Sequence, residues 1–198
     1  MGAIFQSLGR TVIAGIVVLV VIVIVAGAGT GQMISLDMNW SRFFMRWLHV
    51  LSGVMWIGLL WYFNFVQMPS MPKIPDEQKP AIGKVIAPEA LFWFRWAALA
   101  TVVTGLLLAW MNGYIVQALS LQKGTHAIGI GMWIALVMAF NVWFIIWPNQ
   151  QKALGMVQVT PEEKTAAARM AMLTSRFNTM LSIPMLYCMV AGQNPAGL

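Results

Sequence analysis

The chain has 198 residues, of which 60% are hydrophobic and only 9% are charged, well below the charged fraction of about a quarter in soluble domains. The net charge of +6 comes mostly from Lys and Arg in short connections between apolar segments, which is typical of membrane topology and argues against nucleic acid as a partner. The single cysteine, Cys188, excludes an internal disulfide and a Cys-x-x-Cys-His attachment site for c-type haem.

Five apolar segments predict an all-α, polytopic integral membrane bundle of about five transmembrane helices, because about twenty apolar residues cross the hydrocarbon layer as a helix. They run from Thr11 to Ala28, from about Phe43 to Met68, from about Ala90 to Met111, from about His126 to Trp147, and from about Thr179 to Ala191. The fifth is short and needs a helical lead-in from Pro161. We expect one membrane domain over residues 1–198, with a peripheral anchor helix at 11–28 and a four-helix core at 40–191.

The first segment also has the features of a signal peptide, since Arg10 precedes the apolar run and small residues follow it. The apolar run is long for a signal peptide, which favours a retained anchor. Because the helix is hydrophobic on all sides, we expect it to face lipid and to carry no site.

The distribution of Lys and Arg predicts the orientation. With five spans, one side of the membrane carries eight basic residues and the other carries three. The eight are Arg10, Lys73, Lys79, Lys84, Lys152, Lys164, Arg169 and Arg176, and the three are Arg42, Arg46 and Lys123. The positive-inside rule then predicts a cytoplasmic N-terminus and a C-terminus on the outer side of the membrane.

The second segment carries the strongest candidate site. An ionisable side chain within a membrane span is a functional-site hypothesis by default, and His49 lies about 10 Å inside the outer end of this helix. Ser52, Gly53 and Trp56 follow at offsets of three, four and seven, hence on the same helix face. His126 opens the fourth helix from the same side.

This layout predicts a haem b site with His49 and His126 as ligands of the iron. Gly53 would let the flat macrocycle approach the backbone, and Trp56 would line the site. The alternative is structural: His49 would be a hydrogen-bonded core residue, His126 a loop residue, and Gly53 a position that permits close helix packing.

A second polar set lies toward the cytoplasmic half. Arg95, the only charge within the third helix, is a further candidate for cofactor binding, through a carboxylate, a haem propionate or a quinone oxygen. Alternatively, it extends its head group to the membrane surface. Asn141 lies deeper and is expected to bond to a neighbouring helix.

Prolines and one capping pattern predict where helices begin and end. Five prolines predict an irregular, extended loop over residues 69–88; they are Pro69, Pro72, Pro75, Pro80 and Pro88. Pro148 and Pro184 are expected to end or kink their helices. The run Thr160-Pro161-Glu162-Glu163 predicts a helix start with Thr160 as N-cap.

Four groups of motifs, in order, carry a resemblance to a known family. They are Arg46-Trp47-Leu48-His49 with Trp56-Ile57-Gly58, Phe92-Trp93-Phe94-Arg95-Trp96 with Thr104-Gly105, Met138 to Trp143 with Trp147 to Gln150, and Ser175 to Thr179 with Ser182 to Met185. From about Trp40 to Met189 the chain resembles the membrane domain at the N-terminus of the cytochrome-c-tailed bacterial urate oxidases. The Leu-His and Trp-x-Gly element is shared in general form with bacterial membrane protoporphyrinogen oxidases and copper-resistance membrane proteins.

The resemblance implies a membrane domain that takes part in oxidation and passes electrons onward. The sequence stops at Leu198 without a haem c domain, so a separate cytochrome or the quinone pool would accept the electrons. Two functions remain open. The first is a haem b-associated redox protein, either a membrane oxidoreductase or a subunit of one. The second is a non-catalytic accessory subunit of a larger membrane complex, with other membrane subunits and the lipid bilayer as its partners.

Overall fold

The computed structural model describes residues 2–31 and 34–194, and every regular element within them is a helix. We number the helices α1 (Gly2–Phe5), α2 (Leu8–Thr30), α3 (Met38–Lys73), α4 (Lys79–Met111), α5 (Ile115–Leu119), α6 (His126–Ala153) and α7 (Pro161–Ala191). The predicted all-α membrane bundle is confirmed. The chain divides into two compact units, Met1–Ser41 and Arg42–Leu198.

Four of the described helices, α2, α3, α4 and α6, are long and apolar enough to cross a membrane. The count differs from the predicted five because α7 is not among them. Its first half is a charged and alanine-rich lead-in, and only its second half is apolar.

α7 nevertheless runs antiparallel to α6 along most of that helix. Asn178 donates a hydrogen bond to the Met138 carbonyl, with 2.9 Å between Nδ2 and the oxygen. Nearer the other end, a Cβ added at Gly131 would lie 3.1 Å from Cβ of Cys188. The apolar half of α7 therefore lies beside residues 128–141, the first half of α6, which is itself a candidate span.

The predicted irregular loop at 69–88 is wrong, since only residues 74–78 lie outside a helix there. Pro80 occupies the second position of α4, where the missing N–H has no acceptor to lose. Pro69 and Pro72 lie near the end of α3, and Pro88 lies within α4.

A wide π-helical turn precedes three of the prolines by two residues. These turns are Tyr62–Gln67 before Pro69, Ile82–Ile86 before Pro88, and Asn141–Ile146 before Pro148. A proline ring clashes with the carbonyl four residues earlier, and that carbonyl lies within the π turn in all three cases. The widened turns let α3, α4 and α6 continue, so Pro148 does not end its helix, and Pro184 does not end α7 either. A kink at these two prolines stays a prediction.

A buried core joins α3, α4 and α6. Its largest fully buried side chains include Trp56, Leu60, Phe94 and Met138, and Phe63 contacts Phe94 edge to face at 5.7 Å between ring centroids. This core fixes the depth at which the polar residues of α3 and α4 face each other.

The start of α7 confirms the predicted capping pattern. The Thr160 side chain accepts a hydrogen bond from the Glu163 backbone, and the Glu163 carboxylate accepts one from the Thr160 backbone. This reciprocal pair satisfies two backbone donors of the first turn.

Candidate cofactor site

His49 is held against α4 by its Nδ1 atom, which lies 2.9 Å from the Thr101 carbonyl oxygen. A carbonyl only accepts, so Nδ1 carries the proton and donates it. The Thr104 hydroxyl oxygen lies 3.3 Å from the same nitrogen, while this hydroxyl donates to the Ala100 carbonyl at 2.6 Å. With the proton on Nδ1, the second ring nitrogen, Nε2, keeps its lone pair.

Gly105 leaves space on the surface of α4 for the His49 ring. A Cβ atom added at Gly105 would lie 2.8 Å from Cε1 and 3.1 Å from Nδ1 of His49, closer than side chains pack. The absence of a side chain at Gly105 is therefore what allows the ring to lie on the helix backbone. Thr104 and Gly105 carry part of the family resemblance, but the sequence alone does not indicate that they contact His49.

Gly53 and Trp56 lie on the same side of α3 as His49 and face the bundle. A Cβ added at Gly53 would make an ordinary contact of 3.8 Å with Cγ2 of Thr101. Trp56 has no exposed surface, and its buried Nε1 atom has no hydrogen-bond acceptor among the described residues. Their assignment to cofactor binding stays a prediction.

His126 lies at the start of α6, directly after Thr125, with an exposed side chain. The described residues give it no hydrogen-bonding partner, and no contact joins it to His49. The structure therefore brings His49 together with Thr101, Thr104 and Gly105, and not with His126. A ligand role for His126 stays a prediction.

Arg95, the third cofactor candidate, is half-buried and stacks on tryptophan. Its guanidinium carbon lies 3.2 Å from the ring centroid of Trp147 and 5.8 Å from that of Trp143. Its Nε atom is buried without an acceptor in the described chain, and so is Nε1 of Trp143. An arginine held in this way presents its remaining donors to an oxygen-rich group.

Two polar contacts tie the π-helical turns of α3 and α6 to α7. Nδ2 of Asn141 donates to Oδ1 of Asn178 at 2.8 Å, which confirms the expectation that Asn141 bonds to a neighbouring helix. Nδ2 of Asn64 donates to the Ser175 hydroxyl at 2.8 Å. These bonds use the amide donors of both asparagines within the membrane-spanning region and position the helices, while Oδ1 of Asn64 is buried without a donor among the described residues.

The placement of His, Cys, Asp and Glu side chains limits the kind of metal site that the chain can form. Across residues 2–31 and 34–194, no three His, Cys, Asp or Glu side chains gather into a group that could hold an ion. A metal site built only from protein ligands needs about three or four of them. Haem iron brings four ring nitrogens and needs one or two axial ligands. A histidine with an orienting Nδ1–H bond and an available Nε2 fits that requirement.

Comparison with known proteins gives one match. Residues 114–197, less than half of the chain, match the model of the family described as Urate oxidase N-terminal. No curated protein and no solved structure is significantly similar to the chain. The match includes the motifs from Met138 to Gln150 and from Ser175 to Met185, whereas His49 and Arg95 precede it. The part of this chain that runs from α5 to the end of α7 is thus a urate oxidase N-terminal-like segment.

Proposed function

We propose that this protein is a membrane redox protein that binds haem b through His49 and passes electrons to a separate cytochrome or to the quinone pool. The observation that carries the proposal is the hydrogen bond of 2.9 Å from Nδ1 of His49 to the Thr101 carbonyl. That bond sets the ring tautomer so that Nε2 is the available nitrogen. Haem b would supply one-electron oxidation and reduction.

The residues of α4 would fix the ligand before the cofactor binds. Histidines that ligate metals nearly always donate the other ring N–H to a carbonyl or a carboxylate, which orients the ring and raises the basicity of the ligating nitrogen. Thr101 supplies the carbonyl here, and Gly105 leaves room for the ring against the backbone of α4. The ring can turn little without losing the hydrogen bond or striking α4.

The membrane arrangement proposed with this function has five crossings. α2, α3, α4 and α6 qualify by length and apolarity, and the apolar half of α7 runs antiparallel to α6 from Asn178 to Gly192. Five crossings and the asymmetry of basic residues support a cytoplasmic N-terminus and a periplasmic C-terminus in a bacterial inner membrane. Electrons would then leave toward the periplasm or within the bilayer.

The test is the absorption spectrum of the purified protein, expressed with ample haem supply, and of two matched variants. We expect a Soret band and a reduced-state α band in the wild type and their loss in His49→Ala. His126→Ala removes the other histidine of the chain and tests whether it is the second ligand. It should keep one haem per chain if His49 is sufficient, and it should shift the band if His126 is the second ligand.

A colourless wild type that is folded and inserted would overturn the proposal. So would an unchanged spectrum in His49→Ala. Either result would leave His49 as a residue that joins α3 to α4 and would favour the accessory-subunit function.

A further inference from the structure

We propose that Arg95 and Trp147 form a binding site for the phosphate group of an anionic phospholipid. The site is distinct from the haem proposal and does not depend on it. The guanidinium of Arg95 carries a charge that no described carboxylate neutralises.

No carboxylate of the described residues forms an ion pair with Arg95. Lys79 pairs with Asp76 at 2.6 Å, away from this site. All six acidic residues of the chain have exposed side chains; they are Asp37, Asp76, Glu77, Glu89, Glu162 and Glu163. A half-buried cation without a counter-ion is costly in a membrane protein, so an anion from outside the chain would stabilise it.

Stacking prepares the Arg95 side chain to bind such an anion. The guanidinium carbon lies 3.2 Å from the ring centroid of Trp147. The indole ring therefore covers one face of the guanidinium and restricts its orientation. The N–H donors lie in that plane and remain free to meet two oxygens of a phosphate side by side. Nε has no acceptor in the described chain.

The surroundings favour an amphiphile over a soluble anion. Phe92 and Trp96, one turn before Arg95 and next to it on α4, are 44% and 47% exposed. Trp96 contacts Trp143, the α6 ring whose centroid lies 5.8 Å from the guanidinium carbon of Arg95. A ligand that reaches Arg95 along this surface passes exposed aromatic rings. These rings can pack against the acyl chains of a lipid, whereas they offer little to a hydrated, soluble anion. A phospholipid satisfies both the charge and the apolar approach.

The depth of the site agrees with that of a lipid phosphate. Trp147 lies 21 residues after His126, the first residue of α6, which is roughly 30 Å along a helix. This is about the thickness of the hydrocarbon core. If His126 lies at one interface, Trp147 and Arg95 lie at the other, where tryptophan is enriched.

The experiment measures lipid binding to the purified full chain by native mass spectrometry. Phosphatidylglycerol is compared with phosphatidylcholine, and inorganic phosphate is added in excess as a competitor. We expect preferential binding of phosphatidylglycerol, about tenfold weaker in Arg95→Gln because a charge-assisted contact is lost. Arg176→Gln, which removes an exposed arginine of α7, is the matched control and should bind as the wild type does.

Two further variants keep the test valid if Arg95→Gln does not fold. Trp147→Leu keeps the charge but removes the stacking surface, and Arg95→Lys keeps the charge but removes the planar fork; both should weaken the preference. Equal binding by all variants would overturn the proposal. Displacement of the lipid by inorganic phosphate would assign the site to a soluble oxyanion. If the Arg95 variants lost haem but still bound the lipid, the site would be assigned to a haem propionate. Both results would refute the lipid site.

Discussion

Replacing Gly105 with alanine tests the contact that orients His49. The new Cβ would lie 2.8 Å from Cε1 of the ring, whereas ordinary contacts begin at 3.4 Å. Overpacking of this kind costs about 1–3 kcal/mol, and loss of the bond to Thr101 adds about 1 kcal/mol. Alanine recovers up to about 1 kcal/mol of helix propensity. We expect a net loss of about 1–3 kcal/mol in the free energy of unfolding.

A double-mutant cycle isolates the cause, with thermal unfolding in detergent as the assay. In a His49→Ala background the ring is absent, so Gly105→Ala should become neutral or stabilising. Gly58→Ala is the matched control, because Gly58 is exposed within α3 and an added Cβ would meet nothing within 4 Å. The reasoning is refuted if Gly105→Ala has the same effect with and without the His49 ring.

Two other predictions concern the bundle. Asn178→Ala should lower the free energy of unfolding by about 1–3 kcal/mol, because it leaves the buried amide of Asn141 without its acceptor; an unchanged melting temperature would show that this bond contributes nothing. A cysteine placed at Asn194 should react with an impermeant thiol reagent from the periplasmic side and one at Lys79 should not, against little background from the buried Cys188. The opposite labelling pattern would mean that the first segment does not span.

The long helices could be predicted from the sequence because apolar runs of membrane length have few other stable conformations. The boundaries were less predictable. α4 begins at Lys79 and not near Ala90. The π-helical turn before Pro88 makes room for the proline ring, so the helix continues through that residue. A count of prolines contains no information about turn geometry, so it predicted a loop where a helix continues.

The candidate site was predictable only in part. An ionisable residue in an apolar run singles out His49 and Arg95 without any structure. Their partners, Gly105 for His49 and Trp147 for Arg95, depend on which helices pack together and in which register. That information comes from tertiary contacts and not from the spacing of residues within one helix.

Titration of the apoprotein with haem, followed by visible absorption, tests the central claim most directly. We expect the wild type to bind one haem per chain and His49→Gly to bind none under the same conditions. Free imidazole should restore binding to His49→Gly, since it can supply the missing nitrogen ligand. Haem binding by His49→Gly without imidazole, at the affinity and with the spectrum of the wild type, would contradict the account.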